Sequence, residues 1–497
     1  MNKNQKSRRN RGFAWMCRSG LLIGAAALLT VSCATDGYDD DERFDNGVSG
    51  QALTSPSAES ITITPSADGK TQTIPWPVVM GAGGYQFSFY DATNMDAPIV
   101  KDSLIDGCSV TVKREEDMNY RVDLKTLGSA KSGTSDAGEV TQMLFSTFTA
   151  AYAAIPAGTE LSQYFAEHPV PESDKAVYYD LAPGAQYTLD NILDFSNHNV
   201  VLRTTSKTSY ATITYGKSGS IEYCGGLALK YLNFNCAEST KPVLAFSATP
   251  AEGILDADNN NHNQIRETTT IQNCNFTGVK GMMLFDNKVK YCLKTFYMDN
   301  CLVHLESESM SNNSIFYIYD GGGFVNDFTI SNSTIWNTGE SDFKYLIRYN
   351  NSGRCDRAGY ATNSINILNS TMYNLCKSGQ MCNHGGYDGR ATSNSAVENN
   401  IFVNCGSAQV PRRIVGRRGG GDIKFANNTY CTYGDDGSVS FELEGAPDSV
   451  EGAKSEYDDS KSALQCDPAL KDPANGNFTP QGAEQLSLRT GDPRWLP

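Results

Sequence analysis

Apolar and polar residues alternate in short segments along residues 59–127 of the chain. Four of these segments read as strands, and turn residues such as Asp68-Gly69 and Asp106-Gly107 separate them. Several short strands at this spacing are typical of a β-sandwich. The pattern therefore predicts a small β-sandwich over residues 58–150.

A helical pattern follows the predicted sandwich. In residues 159–165 a threonine precedes apolar residues at helical spacing, which predicts a short capped helix. We expect residues 151–177 to form a linker and a helical cap for the segment that follows.

The rest of the chain contains an internal repeat. A strand-like segment with an asparagine near its middle recurs at steps of 27, 32, 37, 30 and 28 residues, and a second strand-like segment lies between successive copies. The recurring asparagines are Asn273, Asn300, Asn332, Asn369, Asn399 and Asn427. Two β-type segments per repeat with no helix between them exclude helical solenoids and leucine-rich repeats. The repeat predicts an all-β chain with a right-handed parallel β-helix over residues 178–435, followed by a C-terminal cap and tail over residues 436–497.

The recurring asparagine has a physical explanation at a bend between two strands. Asparagine tolerates left-handed backbone angles, and its amide bonds to nearby backbone. Because coils stack at about 4.8 Å, we expect these amides to form a ladder. Asn332, Asn369 and Asn427 also begin glycosylation sequons, but we interpret them as ladder positions. Cys274 and Cys301 occupy equivalent places in the repeat and are expected to stack as small core residues.

The first residues of the chain have the pattern of an export signal. Basic residues precede an apolar segment over residues 20–31, which is too short to span a bilayer. The sequence Leu29-Thr30-Val31-Ser32-Cys33 resembles a bacterial lipobox, which implies a signal peptide over residues 1–32 and lipidation of Cys33. The acidic residues 33–57 are expected to form a solvated tether. They resemble the export signal of surface lipoproteins of Bacteroidota, which implies an outer-membrane location facing the cell exterior. The alternatives are an ordinary secreted protein and a plain linker.

Composition narrows the class of partner. The 497 residues include 41 Lys and Arg against 56 Asp and Glu, for a net charge of −15. This balance argues against nucleic-acid binding, because that function needs a basic surface to neutralise phosphate. The chain also has no further apolar segment of the kind that a polytopic membrane protein requires.

Several of these features together carry a family resemblance. The repeat resembles the pectin-lyase-like superfamily, and Trp76 with the segment Tyr120-Arg121-Val122 resembles fibronectin type III modules. With the ending Gly491-Asp492-Pro493-Arg494-Trp495, the mature chain resembles Bacteroidota lipoproteins that occur beside polysaccharide-degrading enzymes. This resemblance implies a polysaccharide partner, a membrane anchor through Cys33, and neighbouring outer-membrane glycan-uptake proteins.

The ends of the second strand-like segments supply a candidate column of sugar contacts. Arginine binds the carboxylate of an acidic sugar through two parallel hydrogen bonds. Amides and carboxylates accept hydrogen bonds from sugar hydroxyl groups. The predicted glycan-binding residues are Asp286, Asp320, Arg348, Asn350, Asn383, His384, Arg412, Arg413, Arg417 and Arg418. Tyr317, Tyr319, Tyr349 and Tyr387 are candidates for stacking on sugar rings or for packing. The resulting hypothesis is a surface protein that binds an extended, acidic polysaccharide without cleaving it.

Three alternatives remain open. A polysaccharide lyase would use Lys288, Lys290 or Arg348 as base or clamp, with calcium held by Asp286 and Asp320; we predict no other cofactor. A hydrolase of the polygalacturonase type would need motifs of which His384-Gly385-Gly386 is a partial match. A structural or adhesive role is the third alternative.

Overall fold

A computed structural model describes residues 50–256, 261–308, 314–349, 363–377, 379–383, 394–406, 422–441, 458 and 460–497. The chain divides into two compact units, Met1–Phe148 and Thr149–Pro497. None of the helices within the described ranges has both the length and the apolar character that a membrane span requires.

The described part of the first unit is a β-sandwich of two antiparallel sheets. One sheet contains β1 (Thr64–Pro65), β2 (Thr71–Pro75) and β5 (Ser109–Lys113); the other contains β3 (Ala82–Asp91), β4 (Val100–Ile105), β6 (Asn119–Gly128) and β7 (Thr141–Ser146). Alternate residues of these strands, among them Phe87, Phe89 and Val122, are fully buried between the sheets. The predicted sandwich is confirmed.

The second unit is a parallel β-helix, as predicted. From β9 (Val177–Leu181) to β30 (Gln380–Asn383), each coil contributes one strand to each of three parallel sheets, which we call sheets I, II and III. Sheet I contains β8 (Ala153–Ile155), β9 (Val177–Leu181), β12 (Val200–Thr204), β15 (Leu227–Lys230), β19 (His262–Gln272), β22 (Tyr291–Asp299), β25 (Phe324–Ser331), β28 (Ser364–Leu368), β31 (Asn394–Glu398) and β33 (Asp422–Ala426), with β18 (Leu255–Asp256) antiparallel at its side.

The other two sheets follow the same stacking order. Sheet II contains β10 (Gln186–Leu189), β13 (Ala211–Tyr215), β16 (Leu232–Asn235), β20 (Asn275–Val279), β23 (Leu302–Leu305), β26 (Thr334–Asn337), β29 (Thr371–Tyr373), β32 (Ile401–Val403), β34 (Thr429–Tyr433) and the antiparallel β35 (Val439–Phe441). Sheet III contains β11 (Ile192–Asp194), β14 (Ser220–Tyr223), β17 (Leu244–Phe246), β21 (Leu284–Phe285), β24 (Ser314–Ile318), β27 (Tyr345–Tyr349) and β30 (Gln380–Asn383).

The recurring asparagines lie at the corner between sheets I and II. All six have left-handed φ angles, between 45° and 57°, so each makes the bend that a β-branched or bulky residue would resist. The amide of Asn300 donates to Asn273 at 2.5 Å, that of Asn399 to Asn369 at 3.2 Å and that of Asn427 to Asn399 at 3.0 Å. The predicted ladder is therefore confirmed in two pieces. It is interrupted where Asn332 donates to Asp299 instead, at 2.7 Å.

A second ladder, which the sequence analysis missed, runs through the residues that follow these asparagines. They are Cys274, Cys301, Ser333, Ser370, Asn400 and Asn428, all fully buried. The backbone N–H of one coil donates to the side chain of the next, as from Cys301 to Ser333 at 3.0 Å and from Ser370 to Asn400 at 2.9 Å. The two cysteines stack in the core, as expected, and the serines of two sequons serve the same ladder.

Helical segments and the chain's final residues complete this unit. At the N-terminal end, α1 (Leu161–Glu167) is capped by the carboxylate of Glu160, which accepts from the N–H of Gln163 at 2.6 Å. At the other end, residues 460–497, which we call the tail, include α2 (Ala483–Leu488). Phe478 of the tail is fully buried against Trp336 and Tyr373 of sheet II.

Candidate functional site

Four residues stand in register on the outer face of sheet III. Strand pairing places Phe285 beside Tyr317, Tyr317 beside Arg348, and Arg348 beside Asn383. Neighbouring strands lie about 4.8 Å apart, so these side chains form one continuous column. Arg348 and Asn383 were predicted contacts that the structure brings together. Phe285 was not predicted, because its role depends on the pairing register.

Aromatic rings surround the arginine of this column. The Arg348 guanidinium carbon lies 3.7 Å from the ring centroid of Tyr319, 5.2 Å from that of Tyr345 and 5.6 Å from that of Tyr317. A guanidinium over an aromatic face is held by the ring quadrupole. The side chain is half-buried, so the rings restrict its orientation while part of it remains accessible. We call Phe285, Tyr317, Tyr319, Tyr345, Arg348 and Asn383 the sheet III cluster.

A carboxylate at the rim orders one of these rings. The Tyr317 hydroxyl donates to Asp320 Oδ1 at 2.8 Å, and Asp320 itself is exposed. Burial, and to a smaller extent the Asp320 charge, raise the pKa of Tyr317 well above its ordinary value, so the phenol stays protonated as a donor. Phe285 stacks on Tyr317 with ring centroids 6.0 Å apart. The structure thus brings the predicted Asp320 to the same face as Arg348.

Asp286 lies in the interior, not on the predicted contact face. It follows Phe285 by one residue and, because strand side chains alternate, it points inward and is fully buried. Its carboxylate accepts from the N–H groups of Gly321 at 2.7 Å and Lys288 at 2.9 Å. Burial raises its pKa to about 6, despite these hydrogen bonds. Asp286 therefore connects two turns of adjacent coils, and both of its oxygens already have donors.

The residues proposed for a lyase are not brought together. Lys288 is exposed in the turn after β21, whereas Arg348 lies on β27, two strands further along sheet III, a separation of roughly 10 Å between strands. The backbone oxygen of Lys290 accepts from Asn263 at 2.8 Å, in the turn that leads back to sheet I. Within the described ranges no group of three or more His, Cys, Asp and Glu residues is placed to hold a metal ion.

Tyr349 was a candidate for stacking on a sugar ring or for packing. Tyr349 is buried in the core, so it packs and does not present its ring to a ligand. Asp435 and Asp436 are exposed in the turn between β34 and β35, where Asp436 accepts from the N–H of Ser438 at 3.0 Å.

The remaining predicted residues lie outside the described ranges. They are Cys33 with the signal peptide and most of the tether, Asn350, His384, Tyr387, Arg412, Arg413, Arg417 and Arg418. Asn350 and His384 each directly follow a described strand of sheet III, β27 and β30 respectively.

Fold and site together define a parallel β-helix protein with an N-terminal β-sandwich. Comparison with protein families finds three domains of unknown function along the chain. Residues 6–187 match DUF4992, residues 185–338 match DUF4957, and residues 365–495 match DUF5123. The first match extends from the N-terminal segment into sheet II, and the other two divide most of the β-helix between them. No curated protein matches the chain.

Among solved structures, the chain is similar to pectate lyase PelI from Erwinia chrysanthemi, determined in complex with tetragalacturonic acid. The two share 10% sequence identity over 82% of this chain and 96% of that chain, with a TM-score of 0.19. The assignment of the β-helix here follows from the strand pairing itself.

Proposed function

We propose that this protein binds an extended, acidic polysaccharide along the outer face of sheet III. The observation that carries the proposal is the position of Arg348, stacked on Tyr319 and in register with Tyr317 and Asn383. The half-exposed rings of Phe285 and Tyr319 suit sugar rings, and a fixed guanidinium suits a planar carboxylate. A column of side chains repeating every ~4.8 Å suits a polymer better than a small molecule.

The arrangement supports binding more directly than cleavage. A lyase must abstract a proton beside a uronate carboxylate while that carboxylate is neutralised. Arg348 is able to neutralise a carboxylate, but Lys288 lies two strands away and both oxygens of Asp286 accept from backbone N–H groups. We therefore assign Arg348 to ligand binding.

Affinity electrophoresis of the chain from Gly50 to Pro497 tests this assignment. Native gels containing polygalacturonate or a glycosaminoglycan should retard the wild-type protein. Arg348→Ala should weaken retardation by roughly tenfold or more, because it removes a charge-assisted contact. Arg348→Lys should recover part of the loss, since lysine keeps the charge but not the fork geometry. Arg266→Ala is a matched control on sheet I, with 68% of its side chain exposed.

Either of two results would contradict this proposal and favour another function. Ultraviolet absorbance from an unsaturated uronate product, with or without calcium, would make the protein a polysaccharide lyase. Unchanged migration of the wild-type chain in every acidic polymer would leave a structural or adhesive surface role.

We further propose that lipidated Cys33 anchors the chain to the outer membrane, facing the cell exterior, beside glycan-uptake proteins. The basic and apolar residues before Cys33 and the acidic residues after it support this location. Metabolic labelling with a fatty-acid analogue should mark the wild-type chain but not Cys33→Ser. Protease added to intact cells should digest the anchored protein, and complete protection would contradict an outward location.

A further inference from the structure

The outer face of sheet II carries an array of uncharged polar side chains in its first four strands. Strand pairing aligns two columns of four residues each, across β10, β13, β16 and β20. The columns are Gln186, Thr212, Asn233 and Asn275, and Thr188, Thr214, Asn235 and Thr277. All eight side chains are exposed or half-exposed. Charged residues return in the turns that follow these strands, as at Lys217 and Glu238.

Hydrogen bonds order the more enclosed of these columns. The amide of Asn275 donates to Asn233 Oδ1 at 2.8 Å, and the amide of Asn233 contacts Thr212 Oγ1 at 3.5 Å. In the other column Thr277 donates to the backbone oxygen of Phe234 at 3.2 Å. The array is therefore preorganised, with amide and hydroxyl groups repeating along ~14 Å, which is three interstrand steps.

The lack of charge indicates a surface that becomes covered. About one residue in five of this chain is charged, and a solvated strand face normally uses such residues for solubility. A face that is covered by a ligand avoids them, because an unpaired charge loses its hydration. The same face continues under the tail, where the Thr334 hydroxyl accepts a hydrogen bond from the Trp495 side chain at 2.8 Å. The fold therefore allows this face to be covered by another segment.

The residue types indicate which ligand covers it. Protein interface cores are enriched in aromatic residues, Met and Arg, none of which is among the eight. Nucleic acid requires basic residues to neutralise phosphate. Amides and hydroxyls donate and accept alike, as sugar hydroxyls do, so the complementary partner is a neutral polymer rich in hydroxyl groups. We infer that the outer face of strands β10, β13, β16 and β20 is a second binding surface, specific for a neutral polysaccharide.

Affinity electrophoresis of the full chain in gels containing a neutral glucan, galactan, mannan or arabinan tests the inference. At least one of these polymers should retard the wild-type protein. The double variant Asn235→Ala/Thr277→Ala changes two exposed side chains and should weaken that retardation roughly tenfold or more. Thr277→Ser, which keeps the hydroxyl, should retain most of it. Gln142→Ala, at an exposed strand position of the sandwich, is the matched control.

Other results would overturn the inference. These are failure of all four neutral polymers to retard the wild-type chain, or equal retardation of the double variant at unchanged thermal stability. A concentration-dependent dimer in sedimentation velocity that Asn235→Lys abolishes would assign the face to a second copy of the chain. Retardation by polygalacturonate tests the binding surface of sheet III separately. If the wild-type chain is not retarded by polygalacturonate, only the proposal for sheet III fails. If it is retarded, the double variant should be retarded equally.

Discussion

Sheet II has two different outer surfaces on one continuous set of strands. In β16 and β20 the outer positions are Asn235 and Thr277, whereas in β26 and β29 the corresponding positions are Trp336 and Tyr373. The tail covers the second pair, with Phe478 packed against both rings, at centroid distances of 5.3 and 5.9 Å. The strands pair in parallel in both halves. The β-helix therefore fixes where a side chain points, while the segment packed above it decides which side chain belongs there.

The polar contacts of the tail are likewise made with the later coils of the β-helix. Gly491 donates to the backbone oxygen of Asn399 at 2.7 Å, and Arg494 donates to the backbone oxygen of Asn300 at 2.9 Å. Asp492 accepts from Thr334 at 2.7 Å and is almost completely buried. The tail therefore contacts the corner and the outer face of the later coils. These contacts extend no further toward the N-terminus than Asn300.

The largest effect is expected from removing the aromatic anchor of the tail. Phe478→Ala should lower the free energy of unfolding of the β-helix by about 3–5 kcal/mol, because it leaves a cavity between Trp336, Tyr373 and Trp495. Thr277→Ala, on the uncovered half, should change it by less than ~0.5 kcal/mol. Urea unfolding of both variants measures the difference. Equal effects would show that the tail does not distinguish the two halves.

The corner that runs through both halves should give an intermediate effect. Asn399→Ala should cost roughly 2–3 kcal/mol, because alanine resists the left-handed φ of 57° and the amide bonds to Asn369 and Asn427 are lost. Asn399→Gly should cost about 1 kcal/mol, since glycine adopts this φ and loses only the hydrogen bonds.

Asn273→Ala provides the matched change beyond the reach of the tail contacts, at a φ of 55°. Chemical denaturation should give it a somewhat smaller cost than Asn399→Ala, because the bond from Asn300 is lost there, against two amide bonds at Asn399. A much smaller cost at Asn273 would assign the stability of the corner to the tail instead of the ladder.

The smallest effect is expected from the buried carboxylate of the tail. Burial raises the pKa of Asp492 above its ordinary value, although Arg494 opposes the shift. The folded protein therefore keeps this proton over a pH range in which the unfolded chain has lost it, and stability falls as pH rises from about 4 through the raised value.

Asp492→Asn does not titrate, so this part of the pH dependence should be absent from it. Thermal unfolding of wild type and variant across the acidic range gives the difference between the two curves. A constant difference at every pH would contradict the role assigned to burial. Asp436 is exposed and has a lowered pKa, so the difference in stability between wild type and Asp436→Asn should change with pH in the opposite direction.

The spacing of the repeat was sufficient to predict the corner of each coil, but not the column of side chains on the outer face of sheet III. The steps between asparagines predict the corner because every coil must make the same left-handed bend, and all six residues occupy it. In sheet III, Asp286, Asp320, Asn350 and Asn383 were predicted to share one column because each ends a second strand-like segment. Strand pairing instead aligns Phe285, Tyr317, Arg348 and Asn383. Turns of different length precede these strands, and a one-residue slip moves a side chain to the opposite face.

What the sequence determined by itself is the repeat, the left-handed asparagine corner and the stacking of Cys274 and Cys301 behind it, because each follows from equivalent positions in successive repeats. Only the tertiary structure decided that Asp286 is interior, that Arg348 stands on tyrosine rings, and that the tail covers half of sheet II. Those features depend on which residues of neighbouring coils become partners and on what packs above them. Neither is encoded in the spacing within a single repeat.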